Sequence, residues 1–569
     1  MLNLTIDIET NSKHDHIWMC YTHNSDTGEY VCHTSVQTLT PLLDIADRVI
    51  GHNIMGFDAP VLNKVWKTKI GWNKLRDTLI MSRLLNPALE DGHSLAAWGK
   101  RLGNKKVEYS RIWHWLTGNE YDKKSIKPYD EPMDNLNKFY CKQDVAVTVE
   151  LFAKLDAELA DWGESVELEH EVAFILTKQE KHGFKFNKKK AQCLLATLSG
   201  ELADIEGTLQ DTFPPISEER VSEKTGKALK TKVTAFNPAS RQQIAERLQG
   251  LGVKFKQKTE KGSIVVDESV LSKIELPEAK LICRYLMLQK RITQITSWVE
   301  AAGDKDRVHG RVMSIGAITG RMSHMSPNMA QIPNSSSEYG PECRDLWTVD
   351  AGNKLVGIDA SGLELRMLAH YMRDPSYVKT VVEGSSKDGT DVHTMNMKAA
   401  GLTNRDQAKT FIYAFLYGAG APKIGSIIGG DGKAGARLMN KFLKNTPALE
   451  RLKDKVTAHA TKGYLLGLDG RRLLIRSEHA ALNTLLQGAG AVLMKRALII
   501  LHKKLKCGII QSHFVANVHD EWQKEVEEED ADRVGRMGVE AIKEAGLYYN
   551  LRCPTSGEYK IGNTWKETH

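Results

Sequence analysis

Cysteine is sparse in this sequence and carries no pattern. The eight cysteines, at positions 20, 32, 141, 193, 283, 343, 507 and 553, include no C-x-x-C pair and no ligand spacing of a zinc site. Reduced thiols without structural zinc are therefore expected. No apolar run approaches the roughly 18 residues that a membrane-spanning helix needs. The amino terminus reads as a strand containing Asp7 and Glu9, not as a charged-then-apolar leader. These absences point to a soluble cytoplasmic protein with no membrane partner. Internal repeats and low-complexity stretches are also missing, which excludes a repeat array. Charge of one sign is scarce as well: 78 Lys and Arg against 71 Asp and Glu leave only +7, a weak sign of a polyanionic partner. That excess is local, because Arg220–Gly262 holds eleven Lys or Arg against three acids, and the rest of the chain is close to neutral.

What is present is length and core. At 569 residues the chain fits about three or four packed units of roughly 100–200 residues, which rules out a single small binding module. Hydrophobic residues at 41% and charged residues at 26% can bury a sizeable core, so disorder is not the dominant state. Up to about residue 160, short β-rich runs alternate with helical ones: a strand at Leu2–Ile8, a helix near Thr40–Arg48, then a strand and turn at Val49–Gly56. This is the pattern of an α/β unit. Helical text follows from about 165, interrupted at Thr208–Thr234 by a polar, Lys-bearing stretch expected to be a loop at the tip of a helical hairpin. Helical text resumes at Asn237-Pro238-Ala239-Ser240 and runs to about Ala302. From Val308 onward helices mix with strands that end in acids.

In Leu2-Asn3-Leu4-Thr5-Ile6-Asp7-Ile8-Glu9 the apolar side chains fall on alternate positions, so Asp7 and Glu9 share the opposite face of the strand. Two carboxylates that close repel each other unless a cation lies between them. A solvated strand edge is the plainer reading of an isolated D-x-E. Two more segments shift the balance. Gly51-His52-Asn53-Ile54-Met55-Gly56-Phe57-Asp58 places an acid after a turn, and Tyr140 and Asp144 lie at i and i+4 on one helix face. The three segments resemble the D-x-E, N-x-x-x-[FY]-D and Y-x-x-x-D motifs of 3′→5′ exonucleases of the DnaQ-like, RNase H-like fold. The resemblance implies that Asp7, Glu9, Asp58 and Asp144 hold two metal ions and that Tyr140 orients the attacking water.

A second set of acids lies far along the chain. Lys354-Leu355-Val356-Gly357-Ile358-Asp359 reads as a buried strand ending on an acid, followed by Ser361-Gly362-Leu363-Glu364 at a helix start. Ser361 with Glu364 is also a good capping box, a purely local alternative for Glu364. A further strand, Ser512–His519, leads to Asp520-Glu521 and back through Trp522–Val526, the pattern of a tight hairpin with acids at its tip. Two strands of one sheet would bring Asp359 and Asp520 together, whereas an exposed acidic turn is the bland reading. Between them Arg405, Lys409, Tyr413 and Tyr417 form a slowly drifting stripe on one helix. Two cations and two rings suit the phosphates, sugar and base of a nucleoside triphosphate, although many half-buried helices carry such a face.

These segments are similar to motifs A, B and C of family A DNA polymerases, above all the replicative enzymes of T-seven-like bacteriophages. Asn237–Arg241, Thr319-Gly320-Arg321 and Asn328–Pro333 match further family segments. The fold implied is multidomain α/β, an RNase H-like exonuclease domain followed by a right-hand polymerase. The expected divisions are residues 1–165 for the exonuclease, 166–302 for the thumb, 303–370 and 485–569 for the palm, and 371–484 for the fingers. The resemblance implies that Asp359, Asp520 and the Ala360 carbonyl hold two Mg²⁺, with two more in the exonuclease site and Mn²⁺ able to substitute. It places Arg405, Lys409 and His393 on the incoming phosphates and has Glu521 support the centre. Tyr413 would lie against the sugar beside Glu364, Tyr417 over the template-side stacking position, and Arg321 and Gln487 in the minor groove, where acceptors recur at every base pair.

The implied activity is templated DNA synthesis with proofreading on primer–template DNA and deoxynucleoside triphosphates. The implied enzyme is a monomer, phage-encoded and working in the host cytoplasm with helicase, primase and single-strand-binding partners. An exonuclease motif starting at residue 7 leaves no preceding 5′-nuclease, and the short span from Thr212 to Asn237 leaves no room for a thioredoxin-clamp insertion. The Lys-rich tip has two readings, a grip on duplex backbone or a solvated face. A single-subunit RNA polymerase and an inactive DNA-binding accessory are the alternatives; Glu364 with the exonuclease triplet argues against the first, and the six intact acids argue against the second.

Overall fold

The computed structural model describes residues 1–221, 228–255, 257–259 and 262–569. The first unit is built on β1 (Asn3–Thr10), β2 (Ile17–Asn24), β3 (Tyr30–His33), β4 (Arg48–Gly51) and β5 (Leu75–Asp77) in the order β3-β2-β1-β4-β5. The central strand β1 is antiparallel to β2 and parallel to β4. Leu4, Ile6 and Ile8 point into the core, as the alternation requires, with Val49, Ile54, Leu62 and Leu75 around them. The expected helix before β4 spans α1 (Val36–Ile45), a few residues earlier than the sequence pattern suggests. Arg48 and Val49 instead join the parallel pairing with β1, a tertiary contact that overrides local propensity. Helices α2 (Asp58–Val65) and α3 (Asp134–Glu158) complete the unit, and α4 (Ser165–His182) leads out of it.

Two long helices, α5 (Lys188–Thr212) and α6 (Pro277–Ala301), form an antiparallel pair. Asn187 caps the first by accepting from the Lys190 N–H, and Pro277 starts the second, where its missing N–H costs nothing. The expected loop at the tip is not one: β6 (Ile216–Val221) and β7 (Ala228–Thr234) pair as an antiparallel hairpin. Alternating polar and β-branched residues there suffice for a two-stranded ladder. Residues 222–227, with part of the basic run, lie outside the described residues. The helical text from 237 to 302 is also broken, into Arg241–Gly250, Glu268–Leu271 and α6.

The carboxyl-terminal half is organised by a four-stranded antiparallel sheet. Its strands, β8 (Asn353–Ala360), β9 (Ser512–Val518), β10 (Glu521–Glu527) and β11 (Gly557–Gly562), lie in the order β9-β10-β8-β11. Before the hairpin come α7 (Leu363–Met372), α8 (Val392–Ala400), α9 (Arg405–Leu416) and α10 (Ala481–Cys507), and after it α11 (Ala531–Tyr548). Helix α11 lies tight on the sheet: a Cβ at Gly538 would meet Ile358 Cδ1 at 2.5 Å. Helix α10 corrects the expectation that no stretch is apolar enough to cross a membrane, since an 18-residue window reaches a mean hydropathy of 1.4. It is apolar all round because it is enclosed on nearly all sides by protein, and 78% of that window is buried.

Candidate active sites

The first site forms on the face of β1 that α3 covers, where Cys141 lies 3.5 Å from an Asp7 carboxylate oxygen. Asp7 and Glu9 project from the face opposite Leu4, Ile6 and Ile8, and Asp58 at the start of α2 accepts from the Ile8 N–H at 3.2 Å. The turn that delivers Asp58 is ordered by Asp77, which accepts from the Asn53 and Met55 N–H groups at 2.9 and 3.1 Å. Asn53 takes a left-handed conformation there, φ 64°, which Asn tolerates better than most residues. Asp144 reaches in from α3, one turn after Tyr140. All four acids are thus brought together. Burial, then their mutual repulsion, pushes Asp7 well up and Glu9 to about 8; burial raises Asp58 to about 7 although backbone N–H donors oppose it. One oxygen of buried Asp144 has no hydrogen-bond partner, and donor atoms of Asp7, Glu9 and Cys141 all lie within 4.8 Å of one another. An electron-rich oxygen set with an orphaned acceptor fits a hard divalent cation.

Lys106 is the residue that sequence reasoning missed. It comes from the loop before the helix at Tyr109–Leu116, pairs with Asp144 and lies 4.5 Å from the centre of the Tyr140 ring. Nothing in its sequence surroundings marks it, because the contact closes a long loop.

The second site forms where β8 meets the β9–β10 hairpin. Asp359 stands directly across from Glu521, and the Ala360 N–H donates to the Asp520 carbonyl at 3.1 Å. The tip consists of His519 and Asp520, with Glu521 the first residue of the returning strand. Burial and then Asp520 raise Asp359 to about 7; burial and then Glu364 raise Asp520 to about 6. This arrangement also fits divalent cations, since two carboxylates, close enough for Asp520 to raise Asp359, present hard oxygen donors at one edge of the sheet. Glu521 differs: burial would raise it, but the His569 side chain, Gln523 and Trp565 hold it below the usual range, Trp565 Nε1 donating at 2.6 Å and His569 Nδ1 lying at 3.0 Å. The partners Trp565 and His569 were not anticipated.

Glu364 is not part of a capping box. Gly362, at φ 61°, is the N-cap of α7, and its backbone turn carries Glu364 toward Arg321, 2.9 Å away, while the Tyr417 hydroxyl donates to it at 3.2 Å. Arg321 lines a small cleft with Gly490, His519 and Asp520, and Gln487 lies half-buried one turn earlier on α10. Along α9 the core side is Ala408, Phe411, Ile412 and Phe415, which leaves the stripe outward. Lys409 is exposed, and the Tyr413 and Tyr417 rings are 6.3 Å apart. His393 on α8 lies 6.0 Å from Tyr413, its Nδ1 buried without a partner. Arg405 is bound to Asp391, its Nε donating at 3.0 Å.

A buried ionic group supports this region. Lys495 Nζ donates to Glu169 at 2.6 Å and to the Gly320 carbonyl at 2.8 Å, while Arg471 binds Glu169 and Asp469, each at 2.7 Å. It joins α4, α10 and the loop that carries Arg321.

The Asp359 cluster and the basic-aromatic face of α9 together suit a nucleotidyl-transfer enzyme. The family description "DNA polymerase family A" matches residues 215–567, and the chain belongs to that family: it is a DNA-directed DNA polymerase. Its sequence is 34% identical to the DNA-directed DNA polymerase of Enterobacteria phage T3 and 33% to that of Escherichia phage T7, each alignment covering 92% of both chains. DNA polymerase I of Aquifex aeolicus is 26% identical over 99% of this chain and 95% of its own. The fold, an RNase H-like unit followed by a right-hand polymerase, matches a solved structure titled "POL domain of Pol1 from M. smegmatis complex with DNA primer-template and dNTP". The TM-score is 0.79 at 19% identity, covering 100% of this chain and 96% of that one.

Proposed function

We propose that this polymerase extends a primer with deoxynucleoside triphosphates at Asp359 and Asp520 and removes mispaired 3′ ends at Asp7, Glu9, Asp58 and Asp144. The observation that carries the reading is that each cluster holds carboxylates pushed up to about 6–8 by burial and by one another, which a divalent cation relieves. Asp359, Asp520 and the Ala360 carbonyl would hold two Mg²⁺, and the four amino-terminal acids two more, with Mn²⁺ as a substitute. When bound, such ions supply Lewis-acid stabilisation of the attacking and leaving oxygens. The protein side chains do the rest. Lys409 and Arg405 neutralise the triphosphate, Arg405 exchanging Asp391 for phosphate, and His393 offers its unpaired Nδ1. Tyr413 supports the sugar, with Glu364, held by Arg321 and Tyr417, filling the space a ribose 2′-oxygen would need. Tyr417 covers the template-side stack, and Arg321 with Gln487 follows the minor groove. Tyr140 orients water in the exonuclease site, and Glu521 braces the hairpin.

On this reading residues 1–165 form the exonuclease, 166–302 the thumb, 303–370 and 485–569 the palm, and 371–484 the fingers. The β6–β7 hairpin at the tip of the long helices and its basic run would follow duplex backbone. The aligned T3 and T7 relatives span 659 positions against this chain's 569 residues, so those alignments contain insertions that this chain lacks, which supports synthesis without a thioredoxin clamp. The enzyme would act as a monomer in a phage-infected host cytoplasm, with helicase, primase and single-strand-binding protein as replisome partners.

The test is primer extension and primer degradation with Mg²⁺. Asp359→Ala should lose synthesis by about a thousandfold or more and keep degradation, and Asp7→Ala should do the reverse. Loss of both activities in either variant would refute two separate centres.

A further inference from the structure

Beneath the β9–β10 hairpin is a cavity of about 510 Å³, enclosed by α4, the end of α10 and the strands of the hairpin. This lies within the size range of small-ligand sites. Its charged lining is four lysines, Lys178, Lys181, Lys506 and Lys524, and among the described residues no acid lines it. His502 and His513 also face it, both held to about 4 by burial, then by Lys178 for His502 and by His182 for His513, with Lys524 acting on both. Lys178 lies close enough to Lys506 to feel its charge.

Lys524 is the unusual member. It is 1% exposed, and among the described residues its ammonium has neither an ion pair nor a hydrogen-bond acceptor, only the face of Phe514, 3.6 Å from the ring centre. The neighbouring acid Glu525 does not serve it. Strand alternation turns Glu525 to the other face of β10, where Arg307 at 2.9 Å, Asn353 at 3.0 Å, the Asp350 N–H at 2.9 Å and His182 at 2.9 Å occupy its oxygens. Ser512, whose hydroxyl also lacks a partner, lines the same cavity. Burial pulls this amine down to about 7, and an oxyanion in the cavity it lines would restore its full charge and offset the desolvation.

We infer that this cavity binds a small polyphosphate anion of the pyrophosphate or tripolyphosphate class, with Lys524 at its floor and Lys178, Lys181 and Lys506 at its mouth. The anion is compact because the deepest donor is almost wholly enclosed and out of reach of a polymer backbone. The site is separate from the acids of the second centre: Lys524 lies four residues beyond Asp520, about 13 Å at the rise of an extended strand, and none of the stripe residues lines the cavity. Nucleotidyl transfer itself releases pyrophosphate, so such a ligand is at hand.

The test is calorimetric titration of the full-length protein with inorganic tripolyphosphate in EDTA, which keeps metal-dependent binding at the acids out of the measurement. One tight site per chain is expected, distinct from weaker metal-free binding at the Arg405 and Lys409 stripe. Lys178→Gln with Lys506→Gln, both exposed and harmless to folding, should weaken binding at least tenfold, and Lys524→Met likewise. Arg405→Ala with Lys409→Ala, and Lys444→Gln with Lys455→Gln as a charge control, should each change it less than twofold. Absence of saturable binding, indifference to the Lys178 and Lys506 changes, or an equal loss in either control pair overturns the proposal. Displacement of tripolyphosphate by a short oligothymidylate, lost in the same variants, would assign the cavity to DNA backbone and overturn it too.

Discussion

In the Asp7 cluster two acids leave one strand two residues apart, a third begins the helix after a short turn, and a lysine of the same unit pairs with the fourth. The Asp359 cluster is assembled from strands of widely separated sequence, and Arg321, which acts on Asp520, is already engaged by Glu364. Both centres join distant segments, Asp7 with Asp144 and Asp359 with Asp520, but the first has part of its charge compensated by a lysine on Asp144, whereas the second has a buried ionic group behind it. A charge partner on the acids themselves acts on one centre alone, whereas a buried group that ties several segments together transmits any slip in the core to the acids it supports.

The largest expected effect breaks the support of the second centre. Glu169→Ala leaves Lys495 buried with only the Gly320 carbonyl, and should cost about 3–5 kcal/mol in a denaturant titration. Primer extension should weaken more than degradation, and an equal fall in both would erase the contrast between the centres.

Next comes the response to Mg²⁺. Glu9 at about 8, Asp58 and Asp359 at about 7 and Asp520 at about 6 all lie above their unfolded values. In metal-free protein their contribution to stability is therefore complete below about pH 4 and is lost as pH rises through roughly 6–8. A cation replaces the departing protons. Mg²⁺ at about a hundred times its Kd should add about 2.7 kcal/mol at pH 8 and far less at pH 5. Thermal melts with and without the metal test this, and a larger shift at pH 5 would contradict it.

Lys106→Met sharpens the comparison from the other side. Degradation should fall about tenfold, the lower end of the effect of removing an outer ligand partner, and extension should stay within twofold. A parallel loss of extension would show that Lys106 acts on the fold and not on its own centre. Smallest is Tyr413→Phe, which removes one hydroxyl. It should raise discrimination against dideoxynucleotides up to about tenfold, the worth of one hydrogen bond. An unchanged incorporation ratio would remove Tyr413 from sugar selection.

Much of both centres was legible in the sequence because period-2 alternation states which face a strand buries. That sufficed for Asp7 and Glu9, and the turn between two strand-like runs was enough for Asp520. Glu364 was ambiguous, since Ser361 at three residues' distance is also a cap pattern, and only the left-handed Gly362 resolved it. The β6–β7 hairpin was missed because its largely polar sequence has no regular apolar alternation to mark a strand.

By itself the sequence determined the local geometry of this polymerase: which acids end strands, which residues share the α9 stripe, and which motifs occur in what order. Those properties follow from backbone periodicity alone. Only the tertiary structure decided that Asp359 faces Glu521, that Lys106 pairs with Asp144, that Glu169 joins three segments, and that Lys524 is buried without an acceptor. Each of these joins residues whose loop closure is favoured only by the rest of the core, so no local pattern records it.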